Sequence, residues 1–336
     1  MEKPALVILA ILAASDARLP GQQQAPPRFR AGIEQVLVPV TVKDAAGRLL
    51  EGLAASDFRL LEDGVEQKIT GLSSDPAPLA VAVLIDAALS RPTAQRLRET
   101  FPSLVEAFSE FDQVGVFAFD TGFRAAAGFT SDKARISAAL DNLEMGADYS
   151  LPGEVMASGA PRINGWPVGG SPAGVSRTGS PGPGKNIDDA VNTALGLLAP
   201  RDPERRKLIL LVSDGLNSAR NQISGEALVA RLRKSGVMVH AIGLDDAKLS
   251  RGSSALARYG PPSGGELFTA VKKTSVESLY ARITDQARYH YVLSYIPQRP
   301  PSVAPVFRSI EVRVKRPGVK VIARDGYIPE PRAPQP

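Results

Sequence analysis

Two long apolar runs close on carboxylates. "LAVAVLID" ends at Asp86, with Ser90 four residues on, and "RKLILLVSDG" ends at Ser213-Asp214-Gly215. A third run, "QVGVFAFD", ends at Asp120. Asp and Ser oxygens that converge at strand ends suit a hard cation such as Mg2+, which takes oxygen ligands and keeps part of its water shell. Ligands of open α/β sheets bind beyond the carboxyl ends of the strands, near the point where the strand order reverses. Asp86, Ser90 and Asp214 are therefore the candidate oxygens of a divalent-cation site, with Asp120 as a further carboxylate. Ala88 stands where such a site wants an oxygen, and a methyl group supplies no lone pair.

Other chemistry finds less support. A phosphoryl-accepting Asp86 wants a second carboxylate two residues on, where Ala88 lies. Of the two histidines, His240 falls mid-strand in "VMVHAIG" and His290 in "YHYVLSY", and both read as packed or edge residues. No Gly-x-Ser-x-Gly elbow occurs. "GSPGPG" follows no strand, so it is not a dinucleotide loop. The chain has no cysteine, which excludes thiol catalysis, disulfides and cysteine-based zinc sites.

The elements that must position these oxygens follow from periodicity. Continuous apolar runs such as Leu79–Asp86 suit parallel strands covered on both faces. They alternate with stretches of helical period, among them "TAQRLRETFPSLVEAFSEF", which Pro102 should kink, and "SDKARISAALDNLEM", with Ser131 as N-cap. The expected fold is α/β: a doubly wound, mostly parallel sheet over residues 79–288. The flanks read as β structure. Val36, Val38, Val40 and Val42 alternate, "FRLLEDGVEQKIT" turns at Asp63-Gly64, and "RSIEVRVK" and "VKVIAR" suggest a hairpin at Arg316-Pro317-Gly318. A small β-sandwich is expected from residues 33–75 and 289–328, with the α/β domain inserted between its halves. Residues 146–184 are rich in Gly, Pro and Ser and read as a flexible insertion carrying the one tryptophan, Trp166, a candidate partner contact.

Residues 1–17 read as a signal peptide, 18–32 as a Pro-rich linker and 329–336 as a tail. No later run is long enough for a membrane helix, so the expectation is an exported protein, periplasmic or extracellular, with no transmembrane helix after signal cleavage. The net charge of +5 is spread along the 336 residues without a basic block, so no nucleic-acid partner is expected.

"LIDAALS … LVSDG", with this order of elements, resembles the von Willebrand factor A (VWFA) domain. The flanks "VKDAAGRLLEGLAASDFRLLEDGVEQKI" and "YVLSYIP … FRSIEVRVKRPGVKVIARDGYIP" look like those of the VWFA-related proteins abundant in Acidobacteria. The resemblance runs from Phe29 to Pro329. It implies a metal-ion-dependent adhesion site in which Asp-x-Ser-x-Ser, a Thr and an Asp-Gly converge, and in which an acidic group of the ligand completes the metal's coordination. Asp86, Ser90 and Asp214 match that pattern. Ala88 replaces the first Ser, and the Thr position falls at Lys185 or Asn186. A lysine ammonium there would repel a metal ion, while Asn186, Asp188 or Asp189 could partly substitute. The expected site is thus degenerate: no cofactor, or a weakly bound Mg2+ or other divalent cation. The expected function is a non-catalytic interaction or adhesion module of the cell envelope, binding an unidentified protein or envelope ligand at its strand-end face. The alternatives are a metal-dependent phosphohydrolase using Asp86 and Asp214, and a structural envelope protein that binds through its β-sandwich.

Overall fold

The computed structural model describes residues 35–146, 185–244, 255–270, 273–299 and 305–329, together with the backbone of a short ribbon at 162–163 and 166–167. The expected leader 1–17, the linker 18–32, most of the 146–184 insertion and the Trp166 side chain lie outside the described residues, as does the tail beyond Pro329.

The chain opens with β1 (Val36–Lys43), in which the four alternating valines are all buried. A 3-10 turn (Ala55–Asp57) leads into β2 (Phe58–Glu62), and β3 (Val65–Gln67) returns against it. Asp63 and Gly64 both have positive φ, 49° and 79°, which is what a two-residue turn matching the twist of its strands requires. β4 is Ile69–Ser73.

The α/β body then runs β5 (Leu79–Asp86), α1 (Arg91–Arg98), α2 (Phe101–Glu106), β6 (Gln113–Phe119), β7 (Phe123–Thr130) and α3 (Lys133–Asp141). The ribbon comprises β8 (Arg162–Ile163) and β9 (Trp166–Pro167). The body continues with α4 (Ile187–Leu198), β10 (Arg206–Ser213), α5 (Gly225–Ser235), β11 (Met238–Leu244), α6 (Gly260–Ser263), β12 (Leu267–Ala270) and α7 (Lys273–Arg288). The helix expected around Pro102 is two helices. Pro102 sits in the first turn of α2, where its missing N–H leaves no bond unmade. The cap of α3 is Asp132, not Ser131, because the Asp132 carboxylate accepts from Ala134 N (2.9 Å) and Arg135 N (3.3 Å).

The central sheet has the order β12-β11-β10-β5-β6-β7, parallel except for the antiparallel edge strand β7. Alternation along β5 divides the core. Leu79, Val81, Val83 and Ile85 face α1, α2, α3 and α7, while Ala80, Ala82 and Leu84 face α4 and α5. Helices on both faces make the sheet doubly wound, and the order reverses between β5 and β10, which places Asp86 and Ser213-Asp214 at the switch point.

The remaining strands are β13 (Tyr291–Tyr295), β14 (Arg308–Val314), β15 (Lys320–Ala323) and β16 (Gly326–Tyr327). They join the first four in two antiparallel sheets, β15-β1-β13-β4 and β16-β14-β2-β3. The sandwich core is Val38, Val40, Leu60, Leu293 and Tyr295, with neighbours from both chain segments. The hairpin expected at Arg316-Pro317-Gly318 does not pair. β14 bonds to β2 and β15 to β1, so this turn carries the chain from one sheet to the other. Both strands gain a buried face that way, which a two-stranded hairpin alone does not provide. The described residues from Gln35 onward belong to one compact unit.

Candidate functional site

Register alone brings the two carboxylates together. β10 pairs with β5 so that Val212 lies opposite Ile85, and Ser213 and Asp214 therefore emerge beside Asp86. Apolar strands bury these ends deeply: Asp86 is 0 % exposed and Asp214 2 %. Two carboxylates in such a place need partners, because isolated buried charge is expelled or neutralised.

The partner is Lys185. Its ammonium lies 3.0 Å from Asp86 Oδ2 and 2.8 Å from Asp214 Oδ2, and its side chain is 5 % exposed. Local bonds hold it there. Ser218 N donates to Lys185 O (2.7 Å), Asn186 N to Asp120 O (2.7 Å) and Ile187 N to Asn217 Oδ1 (3.0 Å), which pins the entry to α4 between two strand-end loops. The remaining carboxylate lone pairs are also engaged. Asp86 Oδ2 accepts from Ser213 Oγ (2.7 Å) and Oδ1 from Ala88 N (2.9 Å), and Asp214 Oδ1 accepts from Leu216 N (3.1 Å). Burial raises the Asp86 carboxyl above its ordinary range against the pull of Lys185, and Asp214 adds to the rise.

The other sequence candidates have partners of their own. Ser90 Oγ pairs with Thr93 Oγ1 (2.8 Å) at the start of α1. Asp120 accepts from Gly122 N (2.8 Å) and pairs with Arg124 (2.9 Å). Asp188 holds Tyr259 OH (2.6 Å), Asn217 Nδ2 (2.9 Å) and the Arg258 guanidinium. Asp189 accepts from Gln222 N (2.9 Å) and Ile223 N (3.0 Å), fastening the 216–223 loop to α4. Asn186 Nδ2 donates to Thr121 O (3.2 Å), but its Oδ1 is buried without a partner.

This donor set does not fit a divalent ion. An ammonium stands between the two carboxylates, Ala88 offers only its amide N–H, and Ser90 Oγ is bonded elsewhere. Mg2+ demands near-octahedral oxygen geometry, which a cation already seated between the carboxylates denies it. No group of three or more His, Cys, Asp or Glu able to hold a metal occurs among the described residues. The histidines stand apart. His240 Nδ1 accepts from Glu266 N (3.1 Å), and burial pushes its pKa down to about 4; burial, with Arg206, pushes His290 to about 3.

Sequence reasoning placed Lys185 near the site as a repellent of metal, and missed that its ammonium bridges Asp86 and Asp214. The available signal was charge balance: two carboxylates at the ends of fully apolar strands require a cation.

No family model matches the sequence, and no curated protein matches it. Several solved structures are similar in fold. BatB from Bacteroides thetaiotaomicron, a conserved hypothetical protein, is 15 % identical over 62 % of this chain and 98 % of its own, with a TM-score of 0.41. A von Willebrand factor type A protein from Catenulispora acidiphila is 10 % identical over 89 % and 75 %, with a TM-score of 0.42. Proximal thread matrix protein 1 from the mussel byssus, with a zinc-occupied MIDAS motif, is 20 % identical over 67 % of this chain but only 49 % of its own, with a TM-score of 0.44. At these identities and scores the likenesses carry no argument about activity. The fold itself, a doubly wound sheet joined to a β-sandwich, is the one that the strand and helix periodicity predicts.

Proposed function

We propose that this chain is a non-catalytic, metal-independent interaction module of the cell envelope, with Lys185 as the built-in cation of its strand-end face. The observation that carries the reading is the Lys185 ammonium held between Asp86 and Asp214. One positive charge against two carboxylates leaves no surplus to attract an acidic ligand group. The face would instead use apolar and hydrogen-bonding contacts. Leu216, directly after Asp214-Gly215, is 38 % exposed. Gln222 and Ile223, at the far end of the same loop, line a cleft of about 490 Å³ together with Asn186, Asn192 and Arg231. The groups with catalytic potential are spoken for, since Asp86 and Asp214 are saturated internally. No described helix is long and apolar enough to cross a membrane; export and an envelope location rest on the N-terminal sequence.

The test is capture of a partner from an envelope extract of the source organism, with and without a chelator, alongside calorimetric titration with Mg2+ and Mn2+. Capture that ignores the chelator and is lost in Leu216→Asp is expected, with no heat of metal binding. Metal binding that disappears in Asp86→Ala would overturn the metal-independent part. Capture that survives Leu216→Asp would move the binding surface to the β-sandwich.

A further inference from the structure

A second charged cluster lies at the edge of the sheet, where β12 begins. Glu266 immediately precedes that strand. Its carboxylate takes Lys320 Nζ on Oε1 (2.7 Å), and Gln286 Nε2 (3.0 Å) and the Lys43 ammonium on Oε2. Lys43 ends β1, Lys320 begins β15, and Gln286 comes from α7, so this one carboxylate joins the sandwich to the α/β body. The Lys43 side chain is 6 % exposed and that of Glu266 12 %, whereas Lys320 is 66 % exposed.

The charges here do not cancel. Arg282, exposed on α7, stacks toward the Phe268 ring (5.7 Å to its centroid), which Lys43 also approaches (5.3 Å). The lining thus holds three cationic side chains, Lys43, Arg282 and Lys320, against two carboxylates, Glu266 and Asp44, an excess of one positive charge. Asp44, the other nearby acid, is held by Arg48 and the Ala46 amide. Burial holds the Lys43 ammonium below its ordinary range, and repulsion from Lys320 and Arg282 adds to this against Glu266. The Glu266 carboxyl falls to about 2, so it stays ionised at any physiological pH and keeps the lysines in place. These groups line a cleft of about 540 Å³ between the two layers, within the usual size of a small-ligand site.

We propose that this cleft binds a compact oxyanion ligand carrying two or more negative charges, with Lys320 and Arg282 as direct contacts and Lys43 and Glu266 as the buried frame that positions them. Cations gathered at a half-enclosed cleft attract such a group more strongly than cations scattered on an open surface do. A phosphorylated compound and a polycarboxylate share the chemistry. The proposal is independent of the strand-end reading, because it involves none of the same residues.

The experiment is calorimetric titration of the whole chain with sodium pyrophosphate and, separately, with citrate at fixed ionic strength, since screening weakens any such contact. The expected Kd lies between about 10 µM and 1 mM for at least one of the two, and the one that binds identifies the phosphate or carboxylate source. The double variant Arg282→Ala/Lys320→Ala changes only exposed side chains, and its fold is checked by circular dichroism. It should weaken binding about tenfold or more. Failure of the wild type to bind either anion at about 10 mM, or equal binding by the double variant, overturns the proposal.

Discussion

The centre and the edge of the sheet carry inverse arrangements of charge. At the strand ends, one ammonium lies between two carboxylates; at the start of β12, one carboxylate lies between two ammonium groups with a guanidinium near by. Both use a long-range ion pair to join segments that are distant in sequence. They differ in access. The Asp86–Lys185–Asp214 group is nearly sealed and every carboxylate oxygen is occupied, so it serves as a fastening. The Glu266 group opens on a cleft and keeps spare positive charge, so it can serve an external ligand. Similar residue types thus take opposite roles according to whether the charges balance behind a closed wall or remain in excess at an open one.

Removal of the buried cation should have the largest effect. Lys185→Met leaves two uncompensated carboxylates in an apolar setting, and unfolding in urea should show a loss of about 3–5 kcal/mol. Adding Asp86→Asn and Asp214→Asn to that variant should recover much of the loss, because neutral amides cost far less to bury than unpaired charges. Failure of the triple variant to recover would mean that Lys185 packs rather than neutralises. Glu266→Gln probes the opposite arrangement. Lys43 and Lys320 would lose their shared acceptor, but Lys43 can shed its proton and water reaches the cleft. The expected loss is smaller, about 1–3 kcal/mol.

A pH-dependent effect concerns His240, which bonds to the Glu266 amide. Its pKa is pushed down to about 4 in the folded chain by burial, against about 6.5 when unfolded. Between those values the unfolded state holds the extra proton, so stability rises with pH and is lost on acidification. The slope is about 1.4 kcal/mol per pH unit for this one group. Asp86 works in the other direction: its raised carboxyl binds a proton in the folded state first, so its contribution declines as pH rises past the ordinary Asp range. Urea unfolding at stepped pH should give a flatter acid limb for His240→Leu than for the wild type, and an unchanged limb would place the titration elsewhere.

How much of this was legible in the sequence depended on range. The parallel strands were readable because β5, β10 and β11 are buried on both faces over most of their length and are largely apolar there. The sandwich strands were readable from the period of Val36–Val42, and the Asp63-Gly64 turn from its residue types. The turn at Pro317 was misjudged because local spacing cannot tell a paired hairpin from a crossover between sheets; only the pairing of β15 with β1 decides that. The site was half legible. Asp86 and Asp214 stand out at strand ends, but the Lys185 contact spans 99 residues and follows a long insertion that hides its alignment. The Glu266 cluster left no trace, since Lys43, Glu266 and Lys320 come from three separate elements with no motif among them.

Ser90 gives the finest discrimination between a fastening and a metal site. Its hydroxyl touches Thr93 Oγ1 alone and caps no backbone amide of α1, so Ser90→Ala removes one hydrogen bond at a solvent-exposed position. Such a bond is worth about 0.5–1 kcal/mol, and added Mg2+ should leave the difference unchanged. The same substitution gains meaning once the ammonium is removed. In Lys185→Ser the two carboxylates regain open lone pairs and a hydroxyl replaces the cation, so Mg2+ should restore part of the lost stability through linkage. If Ser90 then becomes a ligand, adding Ser90→Ala should weaken that rescue by more than the hydrogen bond alone explains. Equal rescue with and without Ser90 would show that the loop after Asp86 holds its serine away from the carboxylates whether or not Lys185 is present.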